Sequence, residues 1–162
     1  MKVYGKILDR KKSVIEVKSK VENNDLAAQE NISSINKKVT VYKGKKLFDV
    51  LPYCDSVDWL YSEKVKNLFE LNNISGIVFY PILIKGINEK YFGYDIIGKA
   101  GKITNLDSMG LPEIFPIEFN KDEWDGSDVF RFENSGMDMI TEIVKDLLLD
   151  NKITNLRIDE QN

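Results

Sequence analysis

The chain has 162 residues, of which 43% are apolar and 30% charged, and its formal net charge is −3. This composition is typical of an ordinary globular protein with a sizeable core, and we predict a single domain over residues 1–162. The sequence contains no histidine and a single cysteine, Cys54. It therefore excludes Ser/His and Cys/His catalytic pairs, an internal disulfide and a cysteine-rich zinc site. Because there is no signal-like or membrane-length apolar run, we expect a cytoplasmic protein without membrane association.

The first 46 residues are predicted to form a β-rich segment. Apolar and polar residues alternate over 2–8, 13–18 and 38–42, and this period of two is typical of strands. Residues 25–36 carry only sparse apolar side chains after a capping aspartate, and they predict a weak helix.

A repeat occupies the middle and the end of the chain. Residues 49–79, shifted by 79 positions, align without a gap with residues 128–158, and nine of the 31 pairs are identical. Chance gives roughly two at ordinary composition. Each copy is predicted to contain a short strand, a loop, a helix and a further strand. We therefore divide the rest of the domain into a first repeat half, 47–97, and a second repeat half, 98–158.

The helix of each copy is indicated by its cap and by its apolar stripe. Ser62 and Thr141 stand at the N-cap positions, and each is followed by a glutamate that favours the positive end of the helix dipole. The spacing of apolar residues predicts helices at about 62–72 and 140–151. The residues expected to face the core are Val65, Leu68, Phe69 and Leu71 in the first copy, and Ile143, Val144, Leu147 and Leu148 in the second.

The remaining elements complete an α+β fold. Residues 77–84 are predicted to form a strand, and Pro81 places that strand at a sheet edge or at a bulge, because proline has no backbone donor. The later elements are expected to be a hairpin turn at 86–89, a strand at 91–97, a loop at 98–113 and a strand at 114–119. We predict a mostly antiparallel sheet with the two equivalent helices packed on one face.

Acidic side chains are concentrated in the last third of the chain. Residues 1–104 hold 18 basic and 12 acidic side chains, whereas residues 105–162 hold 5 basic and 14 acidic ones. The densest acidic cluster surrounds an aromatic side chain, and we interpret it as an interface for a cationic partner that consists of Asp122, Glu123, Trp124, Asp125 and Asp128. The alternative interpretation is a solvated turn.

Other kinds of site are not supported by the spacing of their residues. A calcium loop from Asp122 would have Trp124 at a ligand position, so we expect no metal site. Residues 98–102 lack the spacing of a phosphate-binding loop. The lysines of 37–46 are interpreted as charged positions of an edge strand, and we expect no nucleic-acid partner. We therefore predict no catalytic residues and no cofactor, although two carboxylates could still converge in space.

Several segments resemble a bacterial immunity-protein family from polymorphic-toxin systems. The segments that carry the resemblance are Trp59–Leu68, Asn73–Phe79, Tyr91–Ile96, Asp107–Ser108, Asp128–Phe132 and Ile140–Lys145. It spans roughly residues 47–158. The resemblance implies a non-enzymatic inhibitor that binds and blocks one cognate toxin in the producing cell. It transfers no binding residues, because the matching motif is structural.

Three functions from different classes follow from the sequence. The first is a non-catalytic immunity protein that occludes a cognate toxin with a basic surface; for this function we expect no small-molecule ligand. The second is a small carboxylate-dependent enzyme or ligand-binding domain, which would need two acids in an apolar pocket. The third is a structural or scaffold module that dimerises through an edge strand such as residues 83–87.

Overall fold

The computed structural model describes residues 2–19, 37–56, 58–107 and 116–161, which form two β-sheets and two α-helices. The predicted α+β class is confirmed. The helix predicted at 25–36 lies outside the described residues. The elements are β1 (Val3–Leu8), β2 (Glu16–Ser19), β3 (Lys37–Lys43), β4 (Val50–Leu51), β5 (Leu60–Ser62), α1 (Glu63–Leu71), β6 (Ile77–Ile84), β7 (Tyr91–Ile96), β8 (Lys99–Ala100), β9 (Val129–Phe132), β10 (Asp138–Thr141), α2 (Glu142–Asp150) and β11 (Leu156–Glu160).

The sheets are mostly antiparallel, as predicted. The six-stranded sheet has the order β2-β3-β6-β7-β5-β4, and the five-stranded sheet has the order β11-β1-β10-β9-β8. The β3–β6 and β8–β9 pairs are parallel. One of the core clusters contains residues of both sheets and both helices. The two repeat halves are therefore packed against each other.

The repeat in the sequence is a repeat in the structure. The helices α1 and α2 have nine residues each and begin 79 residues apart, and their N-caps are Ser62 and Thr141 as predicted. The predicted ranges of 62–72 and 140–151 are slightly too long, because each cap is the last residue of a short strand, β5 or β10. These two strands were not predicted, since three or four residues that run directly into a helix leave no separate period.

The second half takes one of its strands from the beginning of the chain. In the first half, β7 lies between β5 and β6, and Tyr91 of β7 pairs with Ser62. In the second half, β1 occupies the same place between β10 and β11, and its residue Val3 pairs with Thr141. Strand β1, which the sequence assigned to a separate N-terminal segment, therefore completes the second half.

The two halves hold each other through equivalent turns. The Asp128 carboxylate accepts hydrogen bonds from the backbone N–H and the hydroxyl of Ser75, at 2.9 and 2.8 Å. At the equivalent positions of the other half, the Asp49 carboxylate accepts from the backbone N–H and the hydroxyl of Thr154, at 2.9 and 2.8 Å. Each aspartate directly precedes the first strand of its own repeat copy, which is β4 for Asp49 and β9 for Asp128. Both turns therefore connect one half to the other.

The turn that follows each helix keeps its conformation although its residue changes. Gly76 has a φ of 84°, and Asn155 at the equivalent position has a φ of 63°. Asparagine tolerates this left-handed region better than most residues do. The Gly76 backbone lies against the carbonyl oxygen of Val129, while the Asn155 side chain donates to the carbonyl oxygen of Val50 at 2.8 Å. The two copies thus reach equivalent carbonyls by different means.

Some predicted details are wrong. Leu71 and Ile143 were expected in the core but are 80% and 65% exposed. The helices instead bury Val65 and Phe69 in α1, and Val144 and Leu148 in α2. Residues 116–119 form an isolated bridge to Ile103 in place of a strand, and the Ile117 N–H donates to the backbone of Gln161. The segment predicted as a loop at 98–113 contains β8, whose two residues pair with β9.

Within the described residues, the first part of β6 pairs only with β7, and its last part pairs with β3. Pro81 pairs with Phe92 of β7, and the pairing with β3 begins at Ile82 within the described residues. The missing donor of Pro81 is therefore tolerated, as predicted. Leu83 pairs with Lys38, however, so residues 83–84 are not the free edge that the dimerisation hypothesis required. Cys54 is exposed.

Candidate functional site

The predicted acidic interface is partly used within the fold. Asp122 and Glu123 lie exposed on a short 3-10 turn, Lys121–Glu123. Trp124 is half-buried: its indole N–H donates to the backbone oxygen of Ser127 at 3.1 Å, and its ring centroid lies 5.9 Å from that of Phe130. The aromatic side chain is therefore held against the second half and does not project from the turn.

Two of the predicted carboxylates stabilise turns. Asp125 accepts from the backbone N–H of Lys99 at 2.8 Å and from the backbone N–H of Ser127 at 3.0 Å. Burial acts to raise the pKa of Asp125, but the hydrogen bonds from Ser127 and Lys99 outweigh it and lower this pKa. Asp128 is engaged by Ser75, as described above. The assignment of these five residues to a partner interface stays a prediction, with Asp122 and Glu123 as its freest carboxylates.

A cleft that the sequence did not reveal lies where the two halves meet. It has a volume of about 350 Å³ and a mostly apolar wall. Its lining residues come from four separate segments of the chain, of which the fourth is the C-terminal end with Asp159 and Gln161. The lining residues of the other three segments include Lys6, Asp58, Trp59, Arg131, Met137 and Asp138. Strand β1 contributes the lysine, the segment before β5 contributes Asp58 and Trp59, and the β9–β10 hairpin contributes the others.

A buried lysine forms the floor of this cleft. The Lys6 side chain is only 1% exposed, and its ammonium donates to the Tyr61 hydroxyl at 2.8 Å and to Oδ2 of Asp138 at 3.2 Å. The ammonium also lies 5.8, 5.3 and 5.0 Å from the ring centroids of Trp59, Tyr61 and Tyr94. Three aromatic faces and one carboxylate therefore replace the water that a buried cation loses.

Arg131 connects the floor of the cleft to its rim. Its Nε donates to Oδ1 of Asp138 at 2.6 Å, and its Nη2 donates to Oδ1 of Asp58 at 2.5 Å. The Tyr94 hydroxyl donates to Oδ2 of Asp138 at 3.1 Å. Asp138 thus accepts three hydrogen bonds from Lys6, Arg131 and Tyr94, and it is the centre of a network that joins both halves.

The pKa values of Asp58 and Asp138 are shifted in opposite directions. Burial acts to raise the pKa of Asp138, but the charges of Lys6 and Arg131 outweigh it, so this pKa lies below its usual range. Burial also raises the pKa of Asp58, and here Arg131 does not fully compensate. Asp138 is therefore a fixed anion of the network, whereas the charge of Asp58 is less well compensated.

This arrangement fits binding better than catalysis. Both cations and both carboxylates are engaged with one another, and no side chain of the cluster is a nucleophile next to a free base. Within the described residues there is also no group of three or more His, Cys, Asp or Glu side chains that could hold a metal ion. The cleft is therefore a neutral, preorganised pocket with an aromatic wall.

One sequence signal could have pointed to this pocket. Tyr4, Lys6 and Leu8 alternate on the core-facing side of β1, so a lysine occupies a position that the period of two assigns to an apolar side chain. A lysine there is rarely buried without a partner. The sequence could not name that partner, because Asp138 is more than 130 positions away along the chain.

The outward faces of the two helices differ. On α2 the exposed residues are Glu142, Ile143, Asp146, Leu149 and Asp150, and Ile143 and Leu149 are 65% and 56% exposed. The equivalent residues of α1 are Glu63, Lys64, Asn67, Glu70 and Leu71. Lys145 pairs with Glu142 and Asp146 at 3.3 and 3.0 Å, so the α2 face is only partly neutralised. The α2 face is acidic and apolar, whereas the α1 face is of mixed charge.

Comparisons with known proteins add no family to these observations. No family model matches the chain, and a search of curated proteins finds no match. Within the described residues, neither helix is long and apolar enough to cross a membrane. The immunity-family resemblance therefore depends on the sequence segments alone.

The low pKa of Asp138 predicts how acid destabilises the fold. Because this pKa is lower in the folded protein than the usual value near 3.9, ionised Asp138 stabilises the fold above about pH 4, and that contribution is lost as the pH falls further. We expect the free energy of unfolding of Asp138→Asn to depend less on pH below about pH 4 than that of the wild type. Urea denaturation across the acid range measures this difference, with Asp122→Asn as the exposed control. Parallel curves for wild type and Asp138→Asn would contradict the assignment.

Proposed function

We propose that this chain is a non-catalytic immunity protein that binds a cognate bacterial toxin and occludes its working surface. The observation that carries the proposal is the outward face of α2, where exposed acidic and apolar side chains lie together. Interfaces of this kind combine apolar contacts, which supply affinity, with charged side chains that select the partner. The resemblance of residues 47–158 to immunity proteins points to the same class.

The partner is proposed to present a basic surface to α2. Glu142, Asp146 and Asp150 follow one another at four-residue spacing, so their carboxylates share one side of the helix. Such a row attracts a cationic surface, accelerates association and weakens it at high salt. Ile143 and Leu149 flank the row and supply the apolar contacts. The exposed carboxylates Asp122 and Glu123 lie on the separate 3-10 turn Lys121–Glu123 and form a second candidate surface.

The repeat supplies a matched control for testing the α2 face. The chain is co-expressed with the toxin encoded in the adjacent gene, and we expect rescue of growth and copurification of a stoichiometric complex. Asp146→Lys is expected to weaken the complex at least about tenfold, since it places like charges together. Asn67→Lys adds a lysine at the equivalent position of α1 and is expected to leave affinity unchanged.

Three results bear against this proposal. If no neighbouring gene product binds, the immunity function is wrong. If Asn67→Lys weakens the complex as much as Asp146→Lys does, the α2 face is not the contact. If Asp122→Lys alone weakens it, the acidic turn is the interface that the sequence indicated.

A ligand-binding domain is the second candidate function. It is favoured by the cleft, in which Asp58 and Asp138 converge beside an apolar wall. Convergent acids are what the carboxylate-dependent hypothesis required, but both acids are held in ion pairs with Arg131. This geometry favours recognition of a ligand over acid–base chemistry.

A further inference from the structure

We propose that the cleft between the two halves binds a small planar cyclic amide, that is, a ring with a carbonyl oxygen beside an N–H group, as in the hypoxanthine and guanine bases. The proposal goes beyond the toxin-binding function and does not depend on it. It follows from the charge balance of the cleft, its open hydrogen-bonding groups and its aromatic wall.

The charge balance favours a neutral ligand. Lys6 pairs with Asp138, and Arg131 pairs with both Asp138 and Asp58, so two cations face two carboxylates. A further lining carboxylate, that of Asp159, pairs with Arg157 at 3.2 Å. An ionic ligand would lose its hydration without finding an uncompensated opposite charge. A neutral ligand does not have this cost.

Two open polar groups define what the ligand must offer. Arg131 donates through Nε and Nη2, and its Nη1 makes no hydrogen bond to the described residues. Asp58 accepts at Oδ1 from Arg131, and its Oδ2 has no hydrogen bond within the described part of the chain. A carbonyl oxygen suits Nη1 and an N–H group suits Oδ2, and an amide offers both.

The walls and the volume favour a ring over an open amide chain. Trp59 is half-buried and lines the cleft with its aromatic side chain, and Met137 provides a flexible apolar edge. Bases stack readily on aromatic side chains. The volume of about 350 Å³ lies within the range of small-ligand pockets and exceeds what a single amide side chain fills.

Inosine and purine riboside provide a matched pair of ligands for the test. Both have the same ring system and sugar, but purine riboside lacks the carbonyl and its adjacent N–H. The purified protein is titrated and followed by NMR through the indole N–H of Trp59, which Trp124→Phe distinguishes from the other indole. We expect saturable shifts with inosine and a dissociation constant below about 1 mM. Purine riboside is expected to bind about tenfold more weakly or worse.

Three variants connect the binding to the cleft. Asp58→Asn is expected to weaken inosine binding about tenfold, since the acceptor for the ligand N–H is lost. Met137→Trp fills the mouth of the cleft from a partly exposed position and is expected to abolish binding while the spectrum stays that of a folded protein. Asp122→Asn makes the same charge change at a distant turn and is expected to bind as the wild type does. Equal binding of the two nucleosides, no shift of Trp59 at high inosine, or full binding by Met137→Trp would each overturn the proposal.

Discussion

Asp138→Ala is expected to lower the free energy of unfolding by about 3–5 kcal/mol, the usual effect of removing one partner from a buried ion pair. The Asp138 carboxylate accepts from Lys6, Arg131 and Tyr94, and the Lys6 ammonium is almost completely buried. Without Asp138, Arg131 keeps Asp58, but the Lys6 ammonium is left with one hydroxyl and three ring faces. Urea denaturation followed by circular dichroism measures the change.

A double variant separates the buried charge from the lost packing. Lys6→Met combined with Asp138→Ala removes both partners, and we expect it to recover about 1–3 kcal/mol relative to Asp138→Ala alone. The control Glu123→Ala removes an exposed carboxylate and is expected to change stability by less than about 0.5 kcal/mol. If the double variant is as unstable as the sum of the two single variants, Lys6 and Asp138 are not energetically coupled, and the expected cost of the unpaired ammonium is wrong.

Gly76→Ala is expected to cost about 2–5 kcal/mol, because two separate effects add. A Cβ at this position would lie 1.9 Å from the carbonyl oxygen of Val129 and 2.8 Å from Cβ of Ser127, so the contact between the halves must open, at about 1–3 kcal/mol. The φ of 84° adds about 1–2 kcal/mol for a residue with a side chain. Chemical denaturation of the purified variant measures the sum.

Gly86 is a matched control for this substitution. Its φ is 81°, but a Cβ there would meet nothing within 4 Å. Gly86→Ala is therefore expected to show the conformational cost alone, about 1–2 kcal/mol. Equal losses for the two variants would mean that the close approach of Gly76 to Val129 contributes nothing to the union of the halves.

The sequence predicted those elements that local physical chemistry determines. The caps Ser62 and Thr141 and the stripes around Val65 and Val144 lie within one or two helical turns, so they could be read without knowledge of the partner strands. The left-handed conformation that Gly76 and Asn155 share after the two helices was not predicted, because two different residues adopt it.

The pairing of distant strands could not be predicted, and neither could the cleft. Lys6, Asp58, Arg131 and Asp138 belong to four segments without a common motif, and their meeting depends on the place of β1 in the second half. The acidic turn was predicted to be a partner interface because its acidic residues lie close together in the sequence. In the structure Asp125 and Asp128 accept hydrogen bonds that stabilise turns, so clustering along the chain did not show which carboxylates are free to meet a partner.

The place of β1 makes the order of assembly different for the two halves. In the first half, β6 and β7 are joined by a short turn, so this pairing closes a small loop. In the second half, β1 must pair with β10 and β11, and Tyr4 reaches a residue 138 positions away. Loop-closure entropy and high contact order slow such pairings. During synthesis β1 leaves the ribosome before its partners β10 and β11. The buried Lys6 can therefore meet Asp138 only when nearly the whole chain is available.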